Sequence, residues 1–300
     1  MNPLPNFLII GAAKAGTTSL YQYLNQHPEV FLSVPKEPRF FALEGHPLDY
    51  RGPIQIINQK SVTRWEDYQA LFAQAQGKKA IGEASTLYLY EPKAAERIQH
   101  YLGSPKIIVI LRNPVSRAYS SYLHLVRDGQ ETLSFEAALE VEAERIRDNW
   151  PPLWHYQQRG YYFQQLQPYF DRFGPSQIRV FLFEDLVNNP TQLMKELFEF
   201  LEIDAQFVPD VSQQANSSGV PKIQWLSKLL NRKNAVKQLA KLALPRGLRK
   251  NIYATLQRSN TGGKTRISSQ TKQQLIDLYR EDVLQLQSLL GQDLSGWLKF

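Results

Sequence analysis

The chain contains no cysteine in its 300 residues. That excludes a disulfide framework, a zinc–thiolate site and a thiol nucleophile. No run of 18 apolar residues occurs, so no segment reads as a membrane-spanning helix. The opening Met1-Asn-Pro-Leu-Pro-Asn6 lacks the basic and apolar regions of a secretory leader, and a cytoplasmic location is the expectation. Histidine is scarce: His27, His46, His100, His124 and His155 each read as surface or packing residues, with only His124 held in reserve as a site residue. Acidic residues are missing between Asp210 and Asp277, where 13 of the 35 Lys and Arg fall, leaving 22 basic against 28 acidic residues elsewhere. The net charge of +7 therefore belongs to one segment, which argues against nucleic acid as a partner of the whole protein.

What is present is organised around Phe7-Leu-Ile-Ile-Gly-Ala-Ala-Lys-Ala-Gly-Thr-Thr18. A short apolar run ends at Gly11, a small-residue loop carries Lys14, and a helix-compatible segment begins near Thr17. A strand feeding such a loop and then a helix N-terminus presents free N–H groups and the positive end of the helix dipole to an anion. Gly11 and Gly16 keep the spacing of the phosphate-binding pattern G-x-x-x-x-G-K-[ST], but Thr17 follows Gly16 and the lysine has moved to position 14. In nucleoside-triphosphate enzymes the loop Ser/Thr shares Mg²⁺ with an aspartate from another strand. Here the strong strand Ile107–Leu111 leads instead into Arg112-Asn-Pro114, a cation suited to a second anion. No metal site is expected.

Apolar and β-branched runs predict strands at Phe7–Gly11, Val30–Leu32, Lys79–Glu83, Lys106–Leu111 and Ile178–Phe183. Helical patterns fall at Thr17–Gln26, Trp65–Gln76, Pro92–Leu102 with proline first, Pro114–Val126, Ser134–Arg147, Trp154–Gln158, Tyr161–Phe173, Pro190–Leu201 and Ser269–Leu290. Residues 42–64 read as irregular. The alternation predicts an α/β, P-loop-like fold with a central parallel sheet flanked by helices on both faces. Ligands of such sheets bind at the carboxyl ends of strands, where Lys14 and Arg112 fall. A single domain spanning residues 1–300 is expected, with a basic helical insertion at about 215–260, a Gly-Gly-Lys loop at 262–264 and a C-terminal helix.

Ser120 lies eight residues beyond Arg112, two turns into the next helix, so a guanidinium and a hydroxyl can converge on one phosphate. The loop Gly11-Ala-Ala-Lys-Ala-Gly-Thr-Thr-Ser19, the segment Lys36-Glu-Pro-Arg-Phe-Phe41, and Leu111-Arg-Asn-Pro-Val-Ser-Arg-Ala-Tyr-Ser120 together resemble the sulfotransferases that use 3′-phosphoadenosine 5′-phosphosulfate (PAPS). The likeness is to the branch containing heparan sulfate O- and N-sulfotransferase domains and their bacterial relatives. Arg159-Gly-Tyr-Tyr162, Glu184-Asp-Leu186 and Asp293–Trp297 extend it over most of the chain.

The resemblance implies that Lys14, with Ala15, Gly16, Thr17, Thr18 and Ser19, holds the 5′-phosphosulfate, and that Arg112 and Ser120 hold the 3′-phosphate. Gly262-Gly-Lys-Thr-Arg266 resembles the family's late basic loop, making Lys264 and Arg266 further cofactor candidates. Glu37 matches the family's catalytic base, and Lys36 and Arg39 beside it are candidate acceptor contacts. Two positions depart from the heparan sulfate branch: Glu83 is followed by Ala84 rather than lysine, and Arg39 stands where some relatives have histidine. The implied chemistry is metal-independent in-line transfer of a sulfuryl group to a hydroxyl or amine, with a carbohydrate favoured as acceptor. The basic stretch 222–258 admits an acceptor contact, a peripheral membrane contact or a solvated helical cover. Outside the resemblance, a P-loop kinase-type phosphotransferase and a non-catalytic nucleotide-binding protein on the same fold remain alternatives.

Overall fold

A computed structural model describes residues 3–53, 56–212, 220–221, 261–263 and 267–300. Lys264, Arg266 and the basic stretch 222–258 lie outside the described residues. Five strands form one parallel sheet: β1 (Phe7–Gly11), β2 (Val30–Leu32), β3 (Ala80–Ala84), β4 (Lys106–Leu111) and β5 (Ile178–Leu182), in the order β2-β3-β1-β4-β5. Every residue of β1 and β3 and all of β4 except Lys106 is buried. Continuous burial along a strand means that both faces of the sheet are covered, which is why these strands read as unbroken apolar runs. Gly82 of β3 lies opposite Phe7, and a Cβ there would sit 2.5 Å from the Phe7 ring, so glycine is required for that pairing.

Several helix boundaries differ from the sequence expectation. The first helix stops at Leu24, two residues early. Trp65–Ala70 is shorter than expected, and the helix expected from Pro92 begins at Ala94. Residues 42–64, read as irregular, include the end of a helix at Phe40–Leu43 and another at Ile56–Lys60. The region around Trp154–Gln158 forms two 3-10 turns, Pro152–Trp154 and Gln158–Gly160. The segment 134–147 breaks at Val141 into Phe135–Glu140 and Glu142–Arg147. Tertiary bonds hold the second piece: Glu142 accepts the Gln157 and Gln158 N–H groups at 2.7 and 2.9 Å.

The expected strand end at Phe183 is instead the start of a helix, Phe183–Asn188, with Asp185 accepting the Leu182 N–H at 3.3 Å. Thr261–Gly263, expected as a loop, pairs antiparallel with Val220–Pro221. No helix of the described residues is long and apolar enough to cross a membrane.

Arg145 donates to Glu131 at 2.6 and 3.1 Å in a nearly dry setting, and the Tyr156 hydroxyl donates to the same carboxylate at 2.8 Å. Burial pushes the Glu131 carboxyl up, but Arg145, the Leu133 N–H and Tyr156 outweigh it and hold it below its ordinary value. A depressed folded-state value stabilises the fold at neutral pH, and that contribution is lost as pH falls through it. Arg145→Ala leaves a buried carboxylate without its counter-charge and is expected to cost about 3–5 kcal/mol in urea unfolding.

Candidate active site

The site lies at the carboxyl ends of β1, β3 and β4. β1 delivers the chain into the loop 12–16, where Lys14 (φ 68°) and Gly16 (φ 100°) both take left-handed conformations. Gly16 is required there twice over: its φ disfavours a side chain, and an added Cβ would lie 2.6 Å from Leu186 Cδ2. The helix Thr17–Leu24 begins with no side-chain cap and no acidic residue in its first turn. Its leading N–H groups and dipole therefore favour an anion at the loop. Gly16, Thr17, Thr18 and Ser19 all line a cavity of about 480 Å³, within the range of small-ligand sites. Ala15 does not line it: its side chain is fully buried and its N–H donates to the Ala12 carbonyl at 3.3 Å.

Arg112 enters the same cavity one residue past β4. Its guanidinium donates to the Lys14 carbonyl at 3.2 Å and lies 4.5 Å from the centre of the Phe183 ring. The backbone beneath it is fixed from outside, since the Tyr162 hydroxyl donates to the Arg112 carbonyl at 2.9 Å. Tyr162 in turn opens a helix, Tyr162–Arg172, whose Phe163 and Gln164 N–H groups are capped by the buried Asp282 carboxylate. Asp282 belongs to the C-terminal helix Ser269–Leu290, so that helix supports Arg112 at second hand while none of its own residues reaches the cavity wall. Ser120, on the helix Pro114–Arg127, is 5% exposed and faces the cavity, as the eight-residue spacing from Arg112 requires.

Lys36, Glu37 and Thr86 also line the cavity. Lys36 donates to Glu37 Oε1 at 3.1 Å, and Arg39 Nε stands 3.6 Å from Oε2. Arg39 does not line the cavity, and its guanidinium pairs with Glu37. Burial pushes the Glu37 carboxyl up, but Lys36, Arg39 and the Thr86 hydroxyl outweigh it and hold it below its ordinary value. Glu37 is thus ionised at neutral pH, with 19% of its side chain exposed toward a ligand. Lys14 is pulled down to about 8, by burial first and then by Arg127, Arg112 and Lys36, with Asp128 opposing.

Several wall components were not assigned from the sequence. His124 lines the cavity one turn beyond Ser120 on the same helix face. Arg127 donates to its Nδ1 at 2.6 Å, and burial followed by the Lys14 charge lowers it to about 4, so it is neutral at ordinary pH with Nε2 carrying the proton. Phe183, Leu186 and Val187 form an apolar wall. Phe183 was read as the end of a strand, and Leu186 only as part of the Glu184-Asp-Leu186 likeness, so neither was assigned to the site. Thr86, two residues past β3, could have been found from the rule that strand ends carry ligands.

A parallel α/β sheet whose first loop brings a lysine and a helix N-terminus to one cavity, with an arginine just past the fourth strand and a single carboxylate on the same cavity among the described residues, places the protein in the phosphate-loop class of folds. Residues 5–207 match the model of the sulfotransferase family, and the chain belongs to that family. A solved structure of a sulfotransferase from Alicyclobacillus acidocaldarius superposes with a TM-score of 0.80 at 34% identity, covering 99% of this chain and 100% of that one. Human bifunctional heparan sulfate N-deacetylase/N-sulfotransferase 3 is 28% identical over 67% of this chain and 22% of its own length. Mouse heparan sulfate glucosamine 3-O-sulfotransferase 3B1 is 28% identical over 66% of this chain and 46% of its own length. The matched regions thus span less than half of either curated relative.

Proposed function

We propose that the chain transfers a sulfuryl group from PAPS to a hydroxyl or amine of an acceptor, with a carbohydrate favoured. The observation that carries this reading is one cavity bordered by Lys14 and the helix start at Thr17, by Arg112 and Ser120, and by Glu37. That donor set fits a nucleotide bearing separate 5′ and 3′ anionic groups. Family membership and the names of the heparan sulfate relatives support the reaction type and the carbohydrate preference.

PAPS supplies a sulfuryl group on an activated 5′-phosphate. Glu37 takes the acceptor's proton as the acceptor oxygen or nitrogen bonds to sulfur, and the bond between sulfur and the bridging phosphate oxygen breaks. Lys14 stabilises the charge that develops on the departing bisphosphate. Arg112 and Ser120 bind the 3′-phosphate, and Lys264 and Arg266 are proposed as further cofactor contacts from the family resemblance alone. His124, neutral and donating through Nε2, adds a hydrogen-bond donor to the wall near Lys14.

Calorimetric titration with 3′-phosphoadenosine 5′-phosphate (PAP), adenosine 5′-phosphosulfate and ATP, with and without Mg²⁺, tests this reading. Binding is expected to require the 3′-phosphate and not the metal. Arg112→Ala removes a charge-assisted contact and should weaken PAP by about 10–100-fold, leaving adenosine 5′-phosphosulfate within about threefold. Tight ATP binding that depends on Mg²⁺ would instead establish a phosphotransferase.

A further inference from the structure

The Glu37 carboxylate is oriented by a residue outside its own loop. The loop is first sewn to the end of β3: the Glu37 N–H donates to the Ala84 carbonyl at 3.0 Å and the Arg39 N–H to Ser85 Oγ at 3.0 Å. Glu37 itself adopts φ 65°, which fixes where its side chain leaves the backbone. Thr86 then meets the carboxylate with two donors. Its N–H lies 3.2 Å from Oε2, and its hydroxyl lies 3.1 Å from Oε1 and 3.3 Å from Oε2. A hydroxyl proton serves one oxygen at a time, so one oxygen can bond the hydroxyl while Oε2 keeps the amide.

Thr86 is itself pinned from a third element. Arg159 donates to the Thr86 carbonyl at 3.0 Å and to the Pro152 carbonyl at 3.5 Å, with its guanidinium 5.6 Å from the Tyr90 ring centre. Arg159 is almost completely buried, and its neighbour Gly160 is pressed against the Tyr279 ring, where a Cβ would lie 2.5 Å away. Burial and its two carbonyl contacts hold the guanidinium in this position, and the Gly160 packing fixes the backbone beside it. Lys36 and Arg39 supply charge to Glu37, but an ammonium on a four-carbon stem imposes little direction. A short β-branched side chain with a fixed backbone does impose one.

We propose that Thr86, pinned by the buried Arg159, is the positioning residue that aims the Glu37 carboxylate at the acceptor. The assignment rests on Glu37 being the proton acceptor. Its consequence is that charge and direction come from different groups: Lys36 and Arg39 supply the neighbouring charges, while Thr86 fixes the carboxylate's plane and adds an uncharged hydrogen bond to the ionised form. Reaction rate should therefore respond to the loss of one uncharged hydroxyl.

The test uses the full chain with ¹³C-labelled glutamate, Glu37 being assigned by comparison with Glu37→Gln. The groups that can shift its titration are Lys36 and Arg39 on its own loop, Arg159, and Glu83 of β3. Thr86→Val keeps shape and N–H but loses the hydroxyl. Removing a donor to the ionised form should raise the Glu37 midpoint by about one pH unit, the size of one hydrogen bond to a charged group. It should also lower PAP release from PAPS about tenfold in kcat at an unchanged KM for PAPS. The acceptor is heparan sulfate or, if that is not sulfated, water. Thr86→Ser should restore both readouts. Arg159→Lys, which loses one of two carbonyl contacts, should move the Glu37 midpoint the same way by less, and no movement would remove Arg159 from the device. An unchanged midpoint and kcat in Thr86→Val, with Glu37→Gln still inactive, would overturn the positioning role alone. Retained turnover in Glu37→Gln would overturn the base assignment beneath it.

Discussion

Replacing Glu37 with glutamine is expected to lower sulfuryl transfer by about 10²–10⁴-fold, the range for removal of a general base, while PAP affinity stays within about threefold. The substitution preserves size and one hydrogen-bond-accepting oxygen, so Thr86 keeps a partner. What it removes is the ability to take a proton. The surroundings make this loss hard to replace, because Glu37 is the only carboxylate on the cavity wall among the described residues. Glu83, the next one along β3, is fully buried and pushed up to about 7, chiefly by desolvation. A carboxyl that is buried and half-protonated at neutral pH cannot substitute for one that faces the ligand. Since Glu37 is held below its ordinary value, its protonation should lower the wild-type rate only at acidic pH. Single-turnover measurements of PAP release across pH, for wild type and Glu37→Gln, read both effects.

The second large effect is expected from Lys14→Ala, a loss of about 10²–10³-fold in kcat, comparable to removing one preorganised charge-stabilising donor. Binding of PAP should suffer less than turnover, because Arg112, Ser120 and the helix start at Thr17 remain. The depressed pKa of Lys14 adds a signature that a merely structural lysine would lack. With its ammonium at about 8 in the free protein, the group is partly deprotonated above that pH. An incoming anion favours the charged form, so PAP binding near pH 8.5 should take up protons, and affinity should fall as pH rises through about 8. Calorimetry in two buffers of different ionisation enthalpy measures that uptake. In Lys14→Ala, the component of uptake due to this residue should disappear.

Much of this site was legible before any coordinates. Gly11, Lys14 and Gly16 announced an anion loop because close backbone approach and a helix start leave a local, ordered trace in the sequence. Arg112 and Ser120 were readable for the same reason: a strand end and the second turn of the following helix keep a fixed spacing. Helix ends were less legible. Val141 interrupts a pattern whose propensity is continuous, because Glu142 and Arg145 are recruited by Gln157, Gln158 and Glu131, all distant in sequence. The helix at Phe183 was hidden by aromatic and β-branched residues that favour a strand until Asp185 caps the turn.

By itself the sequence determined the parallel sheet, the glycine-bearing loop around Lys14 and the arginine just past β4, since each depends on residues close together along the chain; Glu37 was singled out by resemblance to the family. Tertiary structure alone decided what those residues do to one another. It paired Arg39 with Glu37, turned Ala15 inward, brought His124, Phe183, Leu186 and Val187 to the cavity, and set Thr86 against the carboxylate. Those relations depend on distances between β3, the 36–39 loop and Arg159. Contacts between segments separated by tens of residues are fixed by packing in three dimensions, where a difference of a few ångströms separates a wall residue from a supporting one.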